Sequence, residues 1–431
     1  MHVPAQYAHL QEDHPHIHTI AGGLALQVVW SRRQHLACRD QVVIDHPSRL
    51  SILDRLDAYP NVRAMLSAEA LPRLQQRGQQ LRAELNRGIY IFGAYKIGMR
   101  LARIAREHGV AVIGFLDNDH GKEGQQLEGL PVHHPRSIPL QAATVVIASG
   151  QHSNAILSQL AQQYPASQLL NMHEFLYALD ADHVTGAFAN TAEAPARDPL
   201  PHLSAFLRLD DEHSRQVFDA LIGMRLQLAT RPAAAIRSPQ QQEYFEPAFV
   251  SREKAERFVD GGAAAGDTLC RLEAVHGPVQ QAWLFEPELA PYYEALKNFS
   301  SRAEVAVFNM GLDATPTRAV YQRSLSYDIA DELSYTLPRD IASFIQGTPL
   351  DALASGQIGF IKLDIEGMEA RAIRGAKNII SRDAPTLAIC AYHHADDYWQ
   401  LMDEVLSIRP DYKVGMRLYA DVLEDITLYF H

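Results

Sequence analysis

Cysteine is scarce in this chain. There are three in 431 residues, Cys38, Cys270 and Cys390, at spacings far too wide for a metal-binding pair. Three thiols cannot all pair within one chain, so they read as reduced, mostly buried groups of a cytoplasmic protein. Long apolar runs are missing too. None approaches the roughly 20 residues that a membrane-spanning helix needs, which argues against an integral membrane segment. The start, Met1-His2-Val3-Pro4-Ala5-Gln6, lacks a basic segment followed by an apolar core, so no signal peptide is expected. Positive charge is in deficit, with 39 Lys and Arg against 51 Asp and Glu and a formal net charge of −12. A generic nucleic-acid binder is basic, and bulk DNA or RNA is therefore not expected as a partner. What remains is a globular composition, 47% hydrophobic and 21% charged, in a chain too long for one core. Two or three domains are expected.

The most informative segment is Phe258-Val259-Asp260-Gly261-Gly262-Ala263-Ala264-Ala265-Gly266-Asp267-Thr268, an apolar strand, a glycine turn and a helix start. It is followed by Ala282-Trp283-Leu284-Phe285-Glu286-Pro287, a second strand ending in an acid. A nucleoside-binding α/β sheet needs this pairing. Gly262 and Gly266 would let backbone approach a ligand closely, and Glu286 would accept ribose hydroxyls. An ordinary strand-turn-helix with small packing residues is the alternative, and one glycine turn alone decides little.

A second such pattern opens at Gly88. Ile89-Tyr90-Ile91-Phe92 reads as a buried strand, Gly93-Ala94-Tyr95-Lys96-Ile97-Gly98 as the turn, and Met99 to His108 as a helix. The next strand ends in Gly114-Phe115-Leu116-Asp117-Asn118-Asp119, and Val145 to Gly150 supplies another. Alternating strands and helices imply a parallel sheet. Tyr95 stands where a dinucleotide fingerprint has its middle glycine, which weakens an NAD reading. Nucleotide-sugar binding through Gly93, Gly98 and Asp117, a bare scaffold, and dinucleotide binding remain open, in that order.

Elsewhere the reading is coarser. His2, His9, His14, His16 and His18 crowd the start, and a solvated segment explains them better than a metal site. Gly22–Val29 and Gln41–Ile44 suggest short strands, and Leu50–Leu85 a largely helical stretch. Residues 180–204, with Pro195, Pro199 and Pro201, read as a linker or loop. Leu209–Thr230 reads as a helix whose first turn carries Asp210, Asp211 and Glu212, suiting the helix dipole. The expected division is 1–87 mixed or helical, 88–180 a Rossmann-like unit, 181–238 linker and helical prelude, and 239–431 the domain built on the second glycine turn.

That last region resembles the FkbM-type family of S-adenosylmethionine (SAM)-dependent methyltransferases. The resemblance rests on Tyr244-Phe245, the Val-Asp-Gly-Gly-Ala turn with Gly266-Asp267-Thr268, Phe285-Glu286-Pro287 and Leu350-Asp351. Its most specific stretch is Ile361-Lys362-Leu363-Asp364-Ile365-Glu366-Gly367-Met368-Glu369, followed by Tyr392-His393 and Thr427-Leu428-Tyr429. It spans residues 205–431. One departure is Leu418 before Tyr419, where the family often has His. The Gly88 region resembles small Rossmann-like domains of sugar-modifying proteins. The resemblance implies an α/β fold: a class I methyltransferase domain with a seven-stranded, mostly parallel sheet, preceded by a smaller Rossmann-like domain. It implies SAM as cofactor, held by Asp260, Gly261, Gly262, Gly266, Asp267, Thr268, Glu286 and Asp364. The implied activity is O-methylation of a sugar, nucleotide-sugar, glycan or secondary metabolite. A nucleotide-sugar-binding protein or NAD-dependent sugar-nucleotide oxidoreductase with an architectural methyltransferase half is the alternative. The chain is expected to take a small-molecule or glycan acceptor and to leave homo-oligomer formation open.

Methyl transfer is an in-line displacement, so orientation matters most, and an alcohol acceptor also needs a base. The strands ending at Asp364 and His393 are expected to be neighbours, both beside the glycine-turn strand. His393, with an ordinary pKa of about 6.5, is the preferred base, with Asp364 and Glu369 as further catalytic candidates. His394 is the weaker choice, and Lys362 is expected to pair with a nearby acid. No metal is expected. An ion held by Asp364, Glu369 and His393 is a minor alternative.

Overall fold

The computed structural model describes residues 56–138, 143–149, 152–165, 168–181, 192–229, 235–321, 343–420 and 425–431. It also gives the backbone of three short strands nearer the start. These are β1 (His16–Ile20), β2 (Leu24–Val28) and β3 (Val43–Ile44), a small antiparallel sheet. The expected strands at 22–29 and 41–44 correspond to the last two. His2, His9, His14 and Cys38 lie outside the described residues, as do the side chains of His16 and His18.

The Gly88 pattern builds a six-stranded sheet. Its members are β4 (Ile89–Phe92), β5 (Val112–Leu116), β6 (Gln126–Leu127), β7 (Leu130–His133), β8 (Thr144–Ile147) and β9 (Leu169–Asn171). They are ordered β6-β7-β5-β4-β8-β9, parallel except for the β6–β7 pair. The helix after β4 runs Lys96–Glu107. Leu101, Ala102 and Ala105 bury one face of it, joined by Leu74, Leu81 and Leu85 from the helix Ala70–Leu85.

The second glycine turn belongs to a larger sheet. In chain order come β10 (Arg257–Gly261), β11 (Gln281–Phe285), β12 (Val305–Phe308), β13 (Gly311–Leu312), β14 (Thr317–Tyr321), β15 (Ser343–Thr348), β16 (Phe360–Leu363), β17 (Thr386–Cys390), β18 (Val414–Leu418) and β19 (Ile426–Phe430). Seven of these form one sheet ordered β12-β11-β10-β16-β17-β19-β18, in which only β19 runs antiparallel to its neighbours. β13, β15 and β14 form a small separate sheet. The strands β16 and β17 are buried along their whole length, as their continuous apolar runs require when both faces are covered. One correction follows for strand order. β16 does lie beside the glycine-turn strand β10, but β17 lies beside β16 and not beside β10.

A second correction concerns residues 180–204. Its described part is not a loop: Ala194–Arg197 and Pro199–Arg208 are helices, and Leu203, Ala205 and Phe206 are buried in the core of the large sheet. The prolines misled because they sit in the first helical turns, where a missing N–H costs nothing. The following helix is Glu212–Gln227. Asp211 caps it by accepting the Ser214 N–H at 2.9 Å. Leu56, Val62 and Met65 pack in the same buried cluster, although they precede the smaller sheet in the chain. Asp219 secures that segment by accepting from the Asn61 and Val62 backbone N–H groups.

Candidate active site

The glycine turn sits at the carboxyl end of β10, where open α/β sheets place ligands. The backbone is left-handed at Gly262 (φ 79°), Ala264 (φ 45°) and Gly266 (φ 87°). Gly262 and Ala263 both donate to the Phe285 carbonyl at 3.0 Å, folding the turn back over β11. A Cβ at Gly262 would stand 1.9 Å from the Asp364 carbonyl oxygen, and one at Gly266 would stand 2.2 Å from the Phe299 ring. Both glycines are therefore required by the protein's own packing, before any ligand is considered.

Glu286 ends β11 as the sequence suggested. It is buried, and burial raises its pKa. One carboxylate oxygen accepts the Ala264 N–H at 2.9 Å and the other the Glu288 N–H at 2.8 Å. Each oxygen keeps a further lone pair for a hydroxyl. Asp267 and Thr268 open the helix Asp267–His276, with Thr268 buried.

Beneath the turn lies a buried ion pair. Lys362 on β16 places its ammonium 3.1 Å from Asp260 on β10, and both side chains are almost wholly buried. The same ammonium donates to the Gly261 and Gly262 carbonyls at 3.1 and 2.9 Å. Burial opposes its charge, but Asp260 and Asp364 hold the lysine pKa well above the usual range. Lys362 thus has the acidic partner expected, and it also pins the turn.

Asp364 follows β16 directly. Its oxygens accept the Tyr244 hydroxyl at 2.9 Å and the Tyr392 hydroxyl at 3.2 Å. Burial alone would raise its pKa. The charges of Lys362 and His393 and the Tyr244 hydrogen bond prevail, so the carboxylate stays ionised below its ordinary range. Sequence reasoning missed Tyr244 as a site residue. It lies 120 residues before Asp364, with a left-handed backbone of φ 67°, and the Tyr244-Phe245 motif is the one signal that marks it.

Three residues past β17, His393 lies among carboxylates. Its Nδ1 is 3.1 Å from Glu369, and its Nε2 is 3.5 Å from Asp364 and 3.8 Å from Glu366. Burial works against its charge, yet Glu369, Asp364 and Glu366 together push its pKa up to about 9. That shift favours the protonated ring at neutral pH, whereas the ordinary value would leave it mostly neutral. Glu369 begins the helix Glu369–Gly375 and is buried; one oxygen accepts the Ile365 N–H at 2.9 Å. His394 points elsewhere, its Nε2 lying 3.0 Å from the Gly367 carbonyl oxygen. Asp351, quoted above with Leu350, caps a helix instead, accepting from the Asn378 and Ile379 N–H groups.

The smaller sheet brings Gly93, Gly98 and Asp117 together as well. A Cβ at Gly98 would lie 2.0 Å from the Gly93 carbonyl oxygen, so this glycine seats the helix against the turn. Asp117 accepts the Ala94 N–H at 3.0 Å and pairs with Lys122 at 2.9 Å.

The order of the large sheet, its single antiparallel strand and a glycine turn matched to an acid on the next strand define a class I methyltransferase fold. Residues 260–413 match the model of the methyltransferase FkbM domain. This region is an FkbM-type methyltransferase domain, and its cofactor is S-adenosylmethionine. The chain is similar in fold to a methyltransferase FkbM from Methylobacillus flagellatus KT, at 22% identity and a TM-score of 0.71, covering 87% of this chain and 100% of that one. That span includes much of the N-terminal half, beyond the 205–431 read from motifs. Aeropyrum pernix fibrillarin with bound S-adenosyl-L-methionine aligns at 10% identity and a TM-score of 0.28, over 42% of this chain and 69% of that one. No curated protein matches the chain. Among the described residues, no helix is long and apolar enough to cross a membrane.

Proposed function

We propose that this methyltransferase transfers its methyl group to a hydroxyl of a sugar, nucleotide-sugar, glycan or secondary metabolite. The observation that carries the reading is the cluster of Asp364, Glu369 and His393 beside the glycine turn, at the ends of two neighbouring strands. SAM supplies an electrophilic methyl carbon. Gly261, Gly262, Gly266, Asp267 and Thr268 form its cradle, with Asp260 beneath it. Glu286 takes the ribose hydroxyls, and Asp364 faces the methionyl ammonium or the acceptor. The cluster orients the acceptor hydroxyl towards the methyl, and one of its carboxylates receives the proton. Orientation of this kind can lower a barrier by roughly 7–11 kcal/mol.

Support for a hydroxyl acceptor comes from the donor set. Carboxylates and an imidazole suit a small polar group that must lose a proton. The test is to incubate the full chain with SAM and a panel of neutral sugars, nucleotide-sugars and hydroxylated metabolites. S-adenosylhomocysteine should form together with a product one methyl group heavier, in which the methyl is on oxygen. Methylation found only on nitrogen or carbon would overturn the reading.

A further inference from the structure

The acceptor end of the crevice contains two buried heteroatoms without a hydrogen-bond partner. One is an oxygen of Glu369, whose side chain is 1% exposed. The other is Nδ1 of His393, whose side chain is 8% exposed. Nδ1 lies 3.1 Å from the other Glu369 oxygen, Oε1, yet is not aligned with it for a hydrogen bond. Leaving a buried oxygen or ring nitrogen without an aligned hydrogen-bond partner is costly, although Nδ1 stays within ion-pair distance of Glu369. One donor atom each from Asp364, Glu369 and His393 lies within 4.8 Å of the other two.

We propose that these three residues bind a divalent cation, with one nitrogen and two carboxylate ligands. The ion displaces the proton that His393 otherwise carries. Two ligand atoms on one ion, at bonds of about 2.0–2.2 Å, stand roughly 3–4 Å apart. The Glu369–His393 separation of 3.1 Å falls in that span. An imidazole with carboxylates suits Mn²⁺ or Zn²⁺ better than Ca²⁺, which takes six to eight oxygens.

The surroundings support the ligands as metal sites require. A ligand carboxylate is normally fixed by outer hydrogen bonds. Asp364 is fixed by the Tyr244 and Tyr392 hydroxyls, and Glu369 by the Ile365 N–H. Three protein ligands leave coordination positions open, as in catalytic rather than structural sites. With the cluster taken as the acceptor end, an acceptor hydroxyl would fill one of these. Its proton would become more acidic and pass to a carboxylate oxygen of the cluster that is not bound to the ion. The inference rests on the proposed function only for that last role; cation binding itself needs no acceptor.

The experiment uses the full chain, stripped with a chelator and titrated separately with Mn²⁺, Zn²⁺ and SAM by calorimetry. Saturable binding of one Mn²⁺ or Zn²⁺ per chain is expected, with the Mn²⁺ resonance broadened in the bound state. Glu369→Gln and His393→Asn should each weaken that binding about tenfold or more while SAM affinity stays within about twofold. Two variants are used in case one fails to fold, and each is first checked by thermal melting. The proposal is overturned if the wild type binds neither ion saturably, or if both folded variants bind it unchanged. SAM binding without cation binding would sink this inference alone. Cation binding with no O-methylated product from any acceptor would sink the proposed function alone.

Discussion

The two sheets solve one problem twice. Each ends a central strand in a glycine turn, and each ties a backbone N–H of that turn to the acid ending the next strand. Asp117 accepts the Ala94 N–H in the smaller sheet, and Glu286 accepts the Ala264 N–H in the larger. Each also needs a glycine where a Cβ would strike a carbonyl oxygen, Gly98 in one and Gly262 in the other. The difference lies in what surrounds the acid. Asp117 is further held by Lys122 and by the Asp119 N–H, which leaves it little capacity for a ligand. Glu286 has only backbone N–H groups as its hydrogen-bond donors among the described residues. In the larger sheet the lysine sits below the turn, paired with Asp260 instead. A glycine turn with a matched acid is thus a way of closing a strand end. Ligand binding depends on whether the acid is still available afterwards.

The largest effect should come from the buried lysine. Lys362→Met would leave Asp260 without its counter-charge in a dry site, and breaking a buried pair costs about 3–5 kcal/mol. The urea midpoint should fall sharply, and SAM binding should be lost in any fraction that folds. A variant of wild-type stability would show that Lys362 is not what holds the turn.

A smaller effect separates the two acids directly. Glu286→Ala should weaken SAM binding by about 1.5–3 kcal/mol, the range for hydrogen bonds to a charged group. Asp117→Ala should leave SAM affinity unchanged. Calorimetry on both folded variants checks this, and equal losses would show that the two acids do not differ in their availability to a ligand.

The last effect, outside the two turns, concerns two histidines near Arg225. His173, in the helix Met172–Ala178, and His202, in the helix Pro199–Arg208, both have their pKa lowered to about 4, by burial first and then by Arg225. The unfolded chain, with ordinary values near 6.5, binds more protons than the folded one between pH 6.5 and 4. Their contribution to stability is therefore complete above about pH 6.5 and is lost as pH falls towards 4. Urea midpoints at pH 7 and pH 5 should show the drop, and His202→Asn should reduce it. A midpoint independent of pH across this range would rule out neutral buried imidazoles.

Much of the larger sheet was legible because its parallel strands are nearly pure apolar runs ending in polar groups. Phe360–Leu363 and Thr386–Cys390 are of this kind, and so the approach of Asp364 to His393 could be anticipated. The helices at 194–208 were not legible, since proline reads as a breaker unless its position in the first turn is known. Nor was the register that carries Tyr244 to Asp364, because a contact over 120 residues is fixed by packing alone. The protonation of His393 was out of reach for the same reason. Three carboxylates from one loop and one helix start must be seen around the ring before its charge can be assigned.

Tyr244, Ala264 and Glu366 have positive φ although none is glycine, and Gly262, Gly266 and Gly367 stand with them around the same crevice. Each such non-glycine residue stores about 1–3 kcal/mol of conformational energy. These positions are a reserve from which thermostability could be drawn. Selection for heat resistance alone would tend to relax them first, and would reshape the crevice before it touched the rest of the sheet.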